Sequence, residues 1–361
     1  MIAIAPLDQA LTFARSREGS DARLIAVRAC AEGRVKGIDI TGLATWGDDP
    51  ISVFNRLGYE RIKVEVESSI AAVDVPEADL TLPVDLTGAH IAVGTNYREH
   101  AKESSVVGGP FLFPKMVTPT SWCAAIPASD ALLDYEVELC LVPLKPIGPN
   151  DAATGGLILG NDVTDRATLL RNVDPSNPQS GKGFTSGKSA TGYLPVGNMF
   201  VVPRDLKSFV AGLTLQLSVN GMERQRAPVT EWIWDLDEIL RRSRARRDTS
   251  WTYWGGMARL PFTPEGAIPP RTLIMAGTPA GTIWQGLRRK DYALGAVDCL
   301  LSAFTKPIAK CVVERYIAGA RRAKTYLQSG DEISIRVDHL GSLANLVTLV
   351  PHAQHLGHRS G

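Results

Sequence analysis

The clearest chemical pattern in the sequence is a pair of glutamates two residues apart, with an aspartate beyond the next glycine-rich loop. Apolar residues alternate with others along 133–142, which predicts a strand with one apolar face. Glu136 and Glu138 fall on its other face, about 7 Å apart along the backbone. Adjacent carboxylates repel each other unless a cation lies between them. With Asp162 as a third oxygen ligand, the pattern predicts a site for a hard divalent cation. The alternative is a strand with a solvated acidic face.

A histidine and a glutamate three residues apart form a second candidate pair. His100 and Glu103 follow a short buried strand at 91–94, and they share one face if their segment is helical. A carboxylate that holds an imidazole ring fixes its tautomer and raises its basicity, which suits a general base. The alternative is an ordinary pair on the protein surface.

Three further residues have types suited to binding or stabilising an anion. Arg166 lies four residues after Asp162, where it either pairs with that carboxylate on a helix or presents its fork to a substrate carboxylate. Lys188 would neutralise an anionic intermediate if the acidic cluster lies nearby. Thr278 lies in the turn 277–281, whose glycines expose backbone N–H groups as an anion-binding turn does.

The elements that must position these residues divide the chain into two parts. Residues 1–85 predict a small N-terminal accessory domain, with strands at 24–27 and 62–66 and a short helix at 50–57. The main body, residues 86–361, begins after a turn signal and carries every candidate residue named above.

Three segments of the main body have marked patterns. Residues 171–187 are rich in Asn, Ser, Gly and Pro, and their length indicates a mobile lid loop. The alternating stretch 213–219 ends at Asn220-Gly221, a strong signal for a two-residue hairpin turn. Residues 284–327 place apolar side chains on one helical face and predict a helical insertion.

Composition describes an ordinary globular protein and disfavours several classes of function. The 361 residues are 44% hydrophobic and 21% charged, and 39 basic against 38 acidic residues give a net charge of +1. That balance disfavours a nucleic acid or an anionic membrane as partner. No apolar run reaches the roughly 18 residues of a membrane span, and the N-terminus has no basic signal-peptide region. Five cysteines without a CxxC pair give neither a disulfide framework nor a zinc site, so we expect a cytoplasmic protein.

The polar segment after Pro351 contains His352, His355 and His358. Their spacing imitates a metal site on a helix, but polar residues at a chain end are more often disordered. We therefore expect a disordered terminus there.

In their order along the chain, these motifs resemble those of the fumarylacetoacetate hydrolase superfamily. The matching segments are NYREHAKE at 96–103, FLFPK at 111–115, DYEVEL at 134–139, GNDVTDR at 160–166, GKSATGYLPVG at 187–197, SVNG at 218–221 and AGTPAG at 276–281. The resemblance implies a β-rich α+β fold, a mixed β-roll or β-sandwich with flanking helices beside the small N-terminal domain. It also implies a homodimer and a bound divalent ion, Mg²⁺ foremost, with Mn²⁺ or Ca²⁺ as alternatives.

The resemblance also implies a role for each residue that matches a functional position of the family. These residues are Glu136, Glu138 and Asp162 as metal ligands, His100, Glu103 and Lys188 as catalytic residues, and Tyr97, Arg166 and Thr278 as substrate-binding residues. Two departures from the fumarylacetoacetases themselves point to the acylpyruvase-like branch. Asn96 precedes Tyr97 where they have a carboxylate, and Leu169 replaces a glutamine.

The activity that the resemblance implies is hydrolysis of a carbon–carbon bond in a small 1,3-diketo acid, an acylpyruvate or a fumarylacetoacetate-like compound. The ion would polarise a carbonyl group while His100, oriented by Glu103, takes a proton from water. Two alternatives stay open. A decarboxylase, hydratase or isomerase of a 2-oxo acid would use the same ion, and a binding protein would keep the fold without catalysis.

Overall fold

The structure is a computed structural model, and it describes residues 2–349 apart from 19–20, 46, 105–107, 129, 175 and 302–304. The segment with His352, His355 and His358 lies outside the described residues. No helix within the described ranges is long and apolar enough to cross a lipid bilayer.

The described residues form helices and strands along the whole chain. The α-helices are α1 (Pro50–Ser68), α2 (Arg98–Glu103), α3 (Arg166–Asn172), α4 (Phe184–Lys188), α5 (Leu206–Ala211), α6 (Leu236–Ala245), α7 (Arg289–Leu301) and α8 (Ile308–Ala323). The strands are β1 (Ala10–Glu18), β2 (Asp21–Ala31), β3 (Arg34–Asp39), β4 (Ala72–Pro76), β5 (His90–Gly94), β6 (Phe111–Lys115), β7 (Ile126–Ala128), β8 (Leu133–Asp134), β9 (Val137–Val142), β10 (Gly156–Asn161), β11 (Thr164–Asp165), β12 (Phe200–Pro203), β13 (Thr214–Val219), β14 (Met222–Pro228), β15 (Trp251–Tyr253), β16 (Gly256–Ala258), β17 (Ile274–Met275), β18 (Glu332–Val337) and β19 (Gly341–Leu349).

Two sheets carry the fold. The larger has ten strands in the order β4-β3-β2-β1-β12-β10-β9-β17-β5-β6, and the smaller has five in the order β14-β13-β18-β19-β7. Along β13 every second side chain is buried, whereas all six residues of the central strand β9 are buried. Leu139 of β9 and Leu217 of β13 belong to one hydrophobic core that joins the two sheets. The predicted β-rich α+β fold with flanking helices is confirmed.

Residues 1–85 extend the larger sheet. β1 pairs antiparallel with β12 of the main body, with Phe13 opposite Phe200, and β2, β3 and β4 continue the sheet outward. The two parts also share an ion pair, because Arg271 Nη2 donates to the buried Asp49 carboxylate at 2.7 Å. Asp49 in turn accepts the N–H of Ser52 at 3.0 Å and so caps the start of α1.

The strand predicted at 62–66 is wrong, because these residues belong to α1. The helix predicted at 50–57 is present. α1 is kinked at Gly58, where φ is 77° and ψ is 171°, and its second part runs through residues 62–66 to Ser68. Ile62 and Val66 are β-branched, which favours a strand, but they lie four residues apart and are both buried on one helical face.

The patterned segments of the main body fold as follows. Asn220 and Gly221 have φ angles of 51° and 76°, as the predicted two-residue hairpin turn between β13 and β14 requires. The loop predicted at 171–187 is shorter, since α3 runs to Asn172 and α4 begins at Phe184. Residues 284–327 contain α7 and α8.

His90, at the start of β5, joins two segments of the main body as a neutral imidazole. Its Nε2 donates to the carbonyl oxygen of Val117 at 3.0 Å, and its Nδ1 accepts from the N–H of Leu273 at 3.1 Å. Burial lowers the pKa of His90 to about 3. Below about pH 6.5 the His90 imidazole is therefore protonated in the unfolded chain but stays neutral in the folded protein.

This difference predicts an acid-dependent loss of stability. The contribution of His90 is fully present above pH 6.5 and is lost as the pH falls towards 3, so the free energy of unfolding should drop by about 2 kcal/mol between pH 6.5 and 5. Urea unfolding at both pH values measures it. The drop should shrink by that amount in a His90→Gln variant, and equal drops in both proteins would contradict the assignment.

Candidate active site and metal centre

The three acidic residues predicted as metal ligands converge within the larger sheet. Carboxylate oxygens of Glu136, Glu138 and Asp162 all lie within 4.8 Å of one another, and all three residues are buried. The pairing of β9 with β10 brings them together. Gly160 lies opposite Glu138, and two residues later the N–H of Asp162 donates to the carbonyl oxygen of Glu136 at 2.9 Å.

The stretch that carries the two glutamates differs from the prediction in two respects. It forms two strands, β8 and β9, with Tyr135 and Glu136 between them. Every residue of 133–142 is buried, so this stretch has no solvated acidic face. At the break, Asn161 Oδ1 accepts the N–H of Glu136 at 3.1 Å, which holds the backbone of the first glutamate against β10.

Two buried lysines hold the carboxylates. Lys188 Nζ lies 2.8 Å from Glu136 Oε2 and 2.8 Å from Asp162 Oδ2. Lys115 Nζ donates to Asp162 Oδ1 at 2.5 Å and to the carbonyl oxygens of Lys188 and Tyr193 at 2.6 and 2.8 Å, so all three of its donors are used. The predicted site missed Lys115, because a lysine that ends an apolar strand is normally taken as the point where the strand reaches solvent.

Arg166 binds two carboxylates of the protein, and neither belongs to Asp162. Its Nε donates to Asp134 Oδ2 at 2.8 Å and its Nη2 to Glu136 Oε1 at 2.7 Å. The alternative of a helical pair with Asp162 is wrong, because α3 begins at Arg166 and Asp165 is its N-cap. The predicted role of Arg166 in substrate binding stays a prediction. Asp134 is a second residue that the sequence analysis missed.

The charges of this buried cluster do not cancel, since it holds four carboxylates and three cations. They are Asp134, Glu136, Glu138 and Asp162 against Lys115, Lys188 and Arg166. Burial opposes the charge of Glu136, but Lys188 and Arg166 outweigh it and lower its pKa to about 2. Burial and the charges of Asp162 and Glu136 raise the pKa of Glu138 well above its usual range. A divalent cation relieves this repulsion, and three clustered carboxylates are the donors that it prefers, so the residues fit such an ion.

His100 and Glu103 lie together on α2, as the sequence predicts. His100 Nδ1 is 3.3 Å from Glu103 Oε2, and His100 is buried. The N–H of Gly281 lies 3.1 Å from each oxygen of the Glu103 carboxylate, which fixes that carboxylate from a second side. A carboxylate at Nδ1 keeps the ring proton there and leaves the lone pair of Nε2 free to accept another.

The glycine-flanked turn around Thr278 is hydrogen-bonded to residues at the start of β9, the strand that carries Glu138. The N–H of Gly277 donates to Glu138 Oε2 at 2.9 Å. Gln225 Nε2 donates to Thr278 Oγ1 at 2.8 Å, while its Oε1 accepts the N–H of Val137 at 3.0 Å. Gln225 is fully buried, and the sequence analysis missed it because the neighbouring residues of β14 are polar and exposed.

A cavity of about 50 Å³ lies at this cluster. Six of the predicted residues line it, namely His100, Glu136, Asp162, Arg166, Lys188 and Thr278. Tyr97, predicted to bind substrate, does not line it. Its side chain is 1% exposed, and its hydroxyl has no hydrogen-bond partner within the part of the chain that the structure describes. Burial raises the pKa of Tyr97, so the hydroxyl stays protonated.

Comparisons with known proteins find similarity along most of the chain. The family model described as "Fumarylacetoacetate (FAA) hydrolase C-terminal" matches residues 89–348. The fumarylacetoacetate hydrolase domain-containing protein 2 homolog of Dictyostelium discoideum is 24% identical over 314 residues, 82% of this chain and 79% of that protein. The oxaloacetate tautomerase YisK of Bacillus subtilis is 24% identical over 334 residues, 89% of this chain and 85% of that protein.

A solved structure shows the same fold. It is the maleylpyruvate hydrolase from Sphingobium sp. SYK-6 in complex with manganese(II) ion and pyruvate. It aligns with a TM-score of 0.57 and 19% identity, over 94% of this chain and 100% of that one.

Proposed function

Because the chain belongs to the fumarylacetoacetate hydrolase family, we propose that it is a divalent-metal-dependent hydrolase that cleaves a carbon–carbon bond in a 1,3-diketo acid. The family contains hydrolases, isomerases and tautomerases that act on keto acids. The observation that carries the choice of hydrolysis is the His100–Glu103 pair, at 3.3 Å. Its buried histidine lines the same cavity as two of the clustered carboxylates, those of Glu136 and Asp162. A base fixed in this way suits the activation of water.

Glu136, Glu138 and Asp162 are the residues that would hold the ion, with Mg²⁺ as the first choice and Mn²⁺ or Ca²⁺ as alternatives. The structure of the Sphingobium relative contains manganese and pyruvate, which supports a divalent ion beside a keto acid here. When bound, such an ion polarises the carbonyl oxygens of the substrate as a Lewis acid.

The steps assigned to this chain's own residues are proton transfer and charge balance. His100 Nε2 takes a proton from water while Glu103 holds the Nδ1 side of the ring. The water oxygen bonds to the acyl carbonyl carbon, and the bond from that carbon to the neighbouring methylene breaks. The electron pair stays with the methylene as the enolate of a 2-oxo acid, and His100 returns the proton to that carbon. Lys188 and Thr278 line the cavity, where the charge of the lysine and the hydroxyl of the threonine favour the enolate.

A second candidate is tautomerisation, decarboxylation or hydration of a 2-oxo acid. This candidate is supported by the similarity to an oxaloacetate tautomerase along 89% of this chain. Tautomerisation and decarboxylation leave a proton to be moved at the same carbon without attack by water, whereas hydration adds water to a carbon–carbon double bond. In each case His100 would be the group that moves the proton.

Product analysis separates the two candidates. The protein, loaded with Mg²⁺ or Mn²⁺, is given a panel of 2,4-diketo acids, oxaloacetate and a 2-oxo-4-enoate, with and without a chelator. Two acids from one diketo acid support hydrolysis. A keto–enol exchange, CO₂ or a hydroxy acid supports the second candidate. No reaction with any compound in the presence of metal would overturn both and leave a binding protein.

The metal site has its own prediction. Glu136→Gln removes one negative ligand and should weaken Mn²⁺ binding by at least about 10²-fold. Calorimetric titration with Mn²⁺ and metal content after dialysis both measure this loss. The matched control is Glu223→Gln, which alters an exposed glutamate paired with Arg226 and should bind Mn²⁺ like the unaltered protein. Unchanged metal content in Glu136→Gln would contradict the site.

We also propose that the protein is a homodimer. Light scattering after size-exclusion chromatography should give twice the chain mass of 38.9 kDa. The mass of a single chain would overturn this proposal and leave the others untouched.

A further inference from the structure

We propose that the acyl end of the substrate is apolar and uncharged, and that Trp284 is the residue that selects it. This inference rests on the proposed function and narrows its substrate class. The substrates would be 2,4-diketo acids with an alkyl or aryl acyl group, and compounds with a second carboxylate at that end would be poor substrates.

One wall of the catalytic cavity is apolar. It is formed by Val93, Phe113, Leu169, Phe184 and Trp284. Phe184 packs edge-on against Phe111 at 4.7 Å between ring centroids, and its ring lies 5.4 Å from that of Phe113. The phenylalanine rings of this wall are therefore a packed aromatic cluster, and the wall suits an apolar group because it offers no positive charge to a carboxylate.

The cations of the site are already engaged. Among the described residues that line the cavity, the cations are Arg166 and Lys188, apart from any charge on His100. Arg166 is bonded to Asp134 and Glu136, and Lys188 to Glu136 and Asp162. These cations and the metal would serve the keto-acid end of the substrate. A second carboxylate against the apolar wall would lose part of its hydration and gain no charged partner, which is unfavourable.

Trp284 is held in place from two sides. Its backbone N–H donates to Asp134 Oδ2 at 3.1 Å, so the carboxylate that bonds to Arg166 also positions the backbone of Trp284. Its ring stands edge-on to the ring of Tyr316 in α8, with centroids 5.2 Å apart. The Tyr316 hydroxyl is in turn 2.6 Å from that of Tyr326. The segment 284–327 thus sets the shape of the cavity wall through one tryptophan.

Position in the cavity gives Trp284 its role in selection. Trp284 and Phe184 are half-buried, whereas Glu136, Asp162 and Lys188 are buried. The keto-acid end belongs with the buried charges, so the acyl end points to the side where Trp284 is partly exposed.

The test uses a matched pair of compounds, 2,4-dioxoheptanoate and 2,4-dioxoheptanedioate, which differ by a terminal methyl or carboxylate. We expect kcat/KM to be at least about 10²-fold higher for the heptanoate. Trp284→Ala should lower this ratio about tenfold, and Trp284→Arg should raise kcat/KM for the heptanedioate. The control is Tyr292→Ala, which alters a side chain on α7 that is 56% exposed and should leave the ratio unchanged.

Binding gives a readout that does not need turnover. In the slow His100→Ala variant, calorimetry should show the heptanoate binding at least about tenfold more tightly than the heptanedioate. Cleavage of the heptanedioate at an equal or higher kcat/KM would overturn this inference and leave the hydrolase proposal standing. If neither compound is cleaved, the hydrolase proposal fails, and equal or tighter binding of the heptanedioate would overturn the inference as well.

Discussion

The His100→Ala variant is expected to lose about 10²- to 10⁴-fold in kcat on a diketo acid, because that is the usual contribution of a general base. The loss should fall on kcat, since the three carboxylates and their cations remain. Glu103→Gln should lose less, because a glutamine oxygen still accepts from His100 Nδ1 and keeps the ring oriented. Steady-state kinetics with saturating Mg²⁺ measures both variants.

A matched control lies on the same helix. Glu99 is exposed and pairs with Lys102 at 2.5 Å, so Glu99→Gln changes an α2 glutamate that does not touch His100. Its kcat should equal that of the unaltered protein. Metal binding should be unchanged in all three variants. A His100→Ala variant that loses less than about tenfold would exclude the general-base role.

The Lys115→Met variant is expected to lose about 3–5 kcal/mol in free energy of unfolding, because it removes one partner of a buried ion pair. It leaves an Asp162 oxygen and the carbonyl oxygens of Lys188 and Tyr193 without the donor that they share. Burial lowers the pKa of Lys115 even though Asp162 lies beside it, so burying this ammonium group costs free energy that its partners must offset. Urea unfolding with a chelator present measures the loss without any stabilisation by metal.

The control for this variant is Lys102→Met. Lys102 also pairs with a carboxylate, that of Glu99, but its side chain is 72% exposed. Exposed pairs contribute little, so Lys102→Met should change the free energy of unfolding by less than about 1 kcal/mol. Equal urea midpoints for the two variants would show that Lys115 does not support the acidic cluster.

The buried acidic cluster was predictable in part because two of its residues give a local signal. Glu136 and Glu138 lie two residues apart, and their alternation with apolar residues is visible in a ten-residue window. His100 and Glu103 are one helical turn apart, so their contact follows from the helix alone. The order of the motifs along the chain then indicated that Asp162, Lys188 and Thr278 belong to the same site.

The missed residues depend on contacts between distant parts of the chain. Lys115 bonds to a carboxylate 47 residues away, and Gln225 bonds to Val137 at a separation of 88 residues. Neither contact leaves a pattern near its own position. The alternative of a helical pair between Arg166 and Asp162 stayed open because spacing alone does not show where a helix begins.

The pairing of β1 with β12 has a consequence for any attempt to use the main body alone. A protein cut before His90 would lose β1 to β4 and leave β12, with Phe200 and its neighbours, as an open sheet edge. Such an edge offers a row of free N–H and C=O groups to other chains, and its apolar side chains favour aggregation. The first 85 residues therefore cover the edge of β12. A shortened protein would need another strand paired with β12 to avoid aggregation.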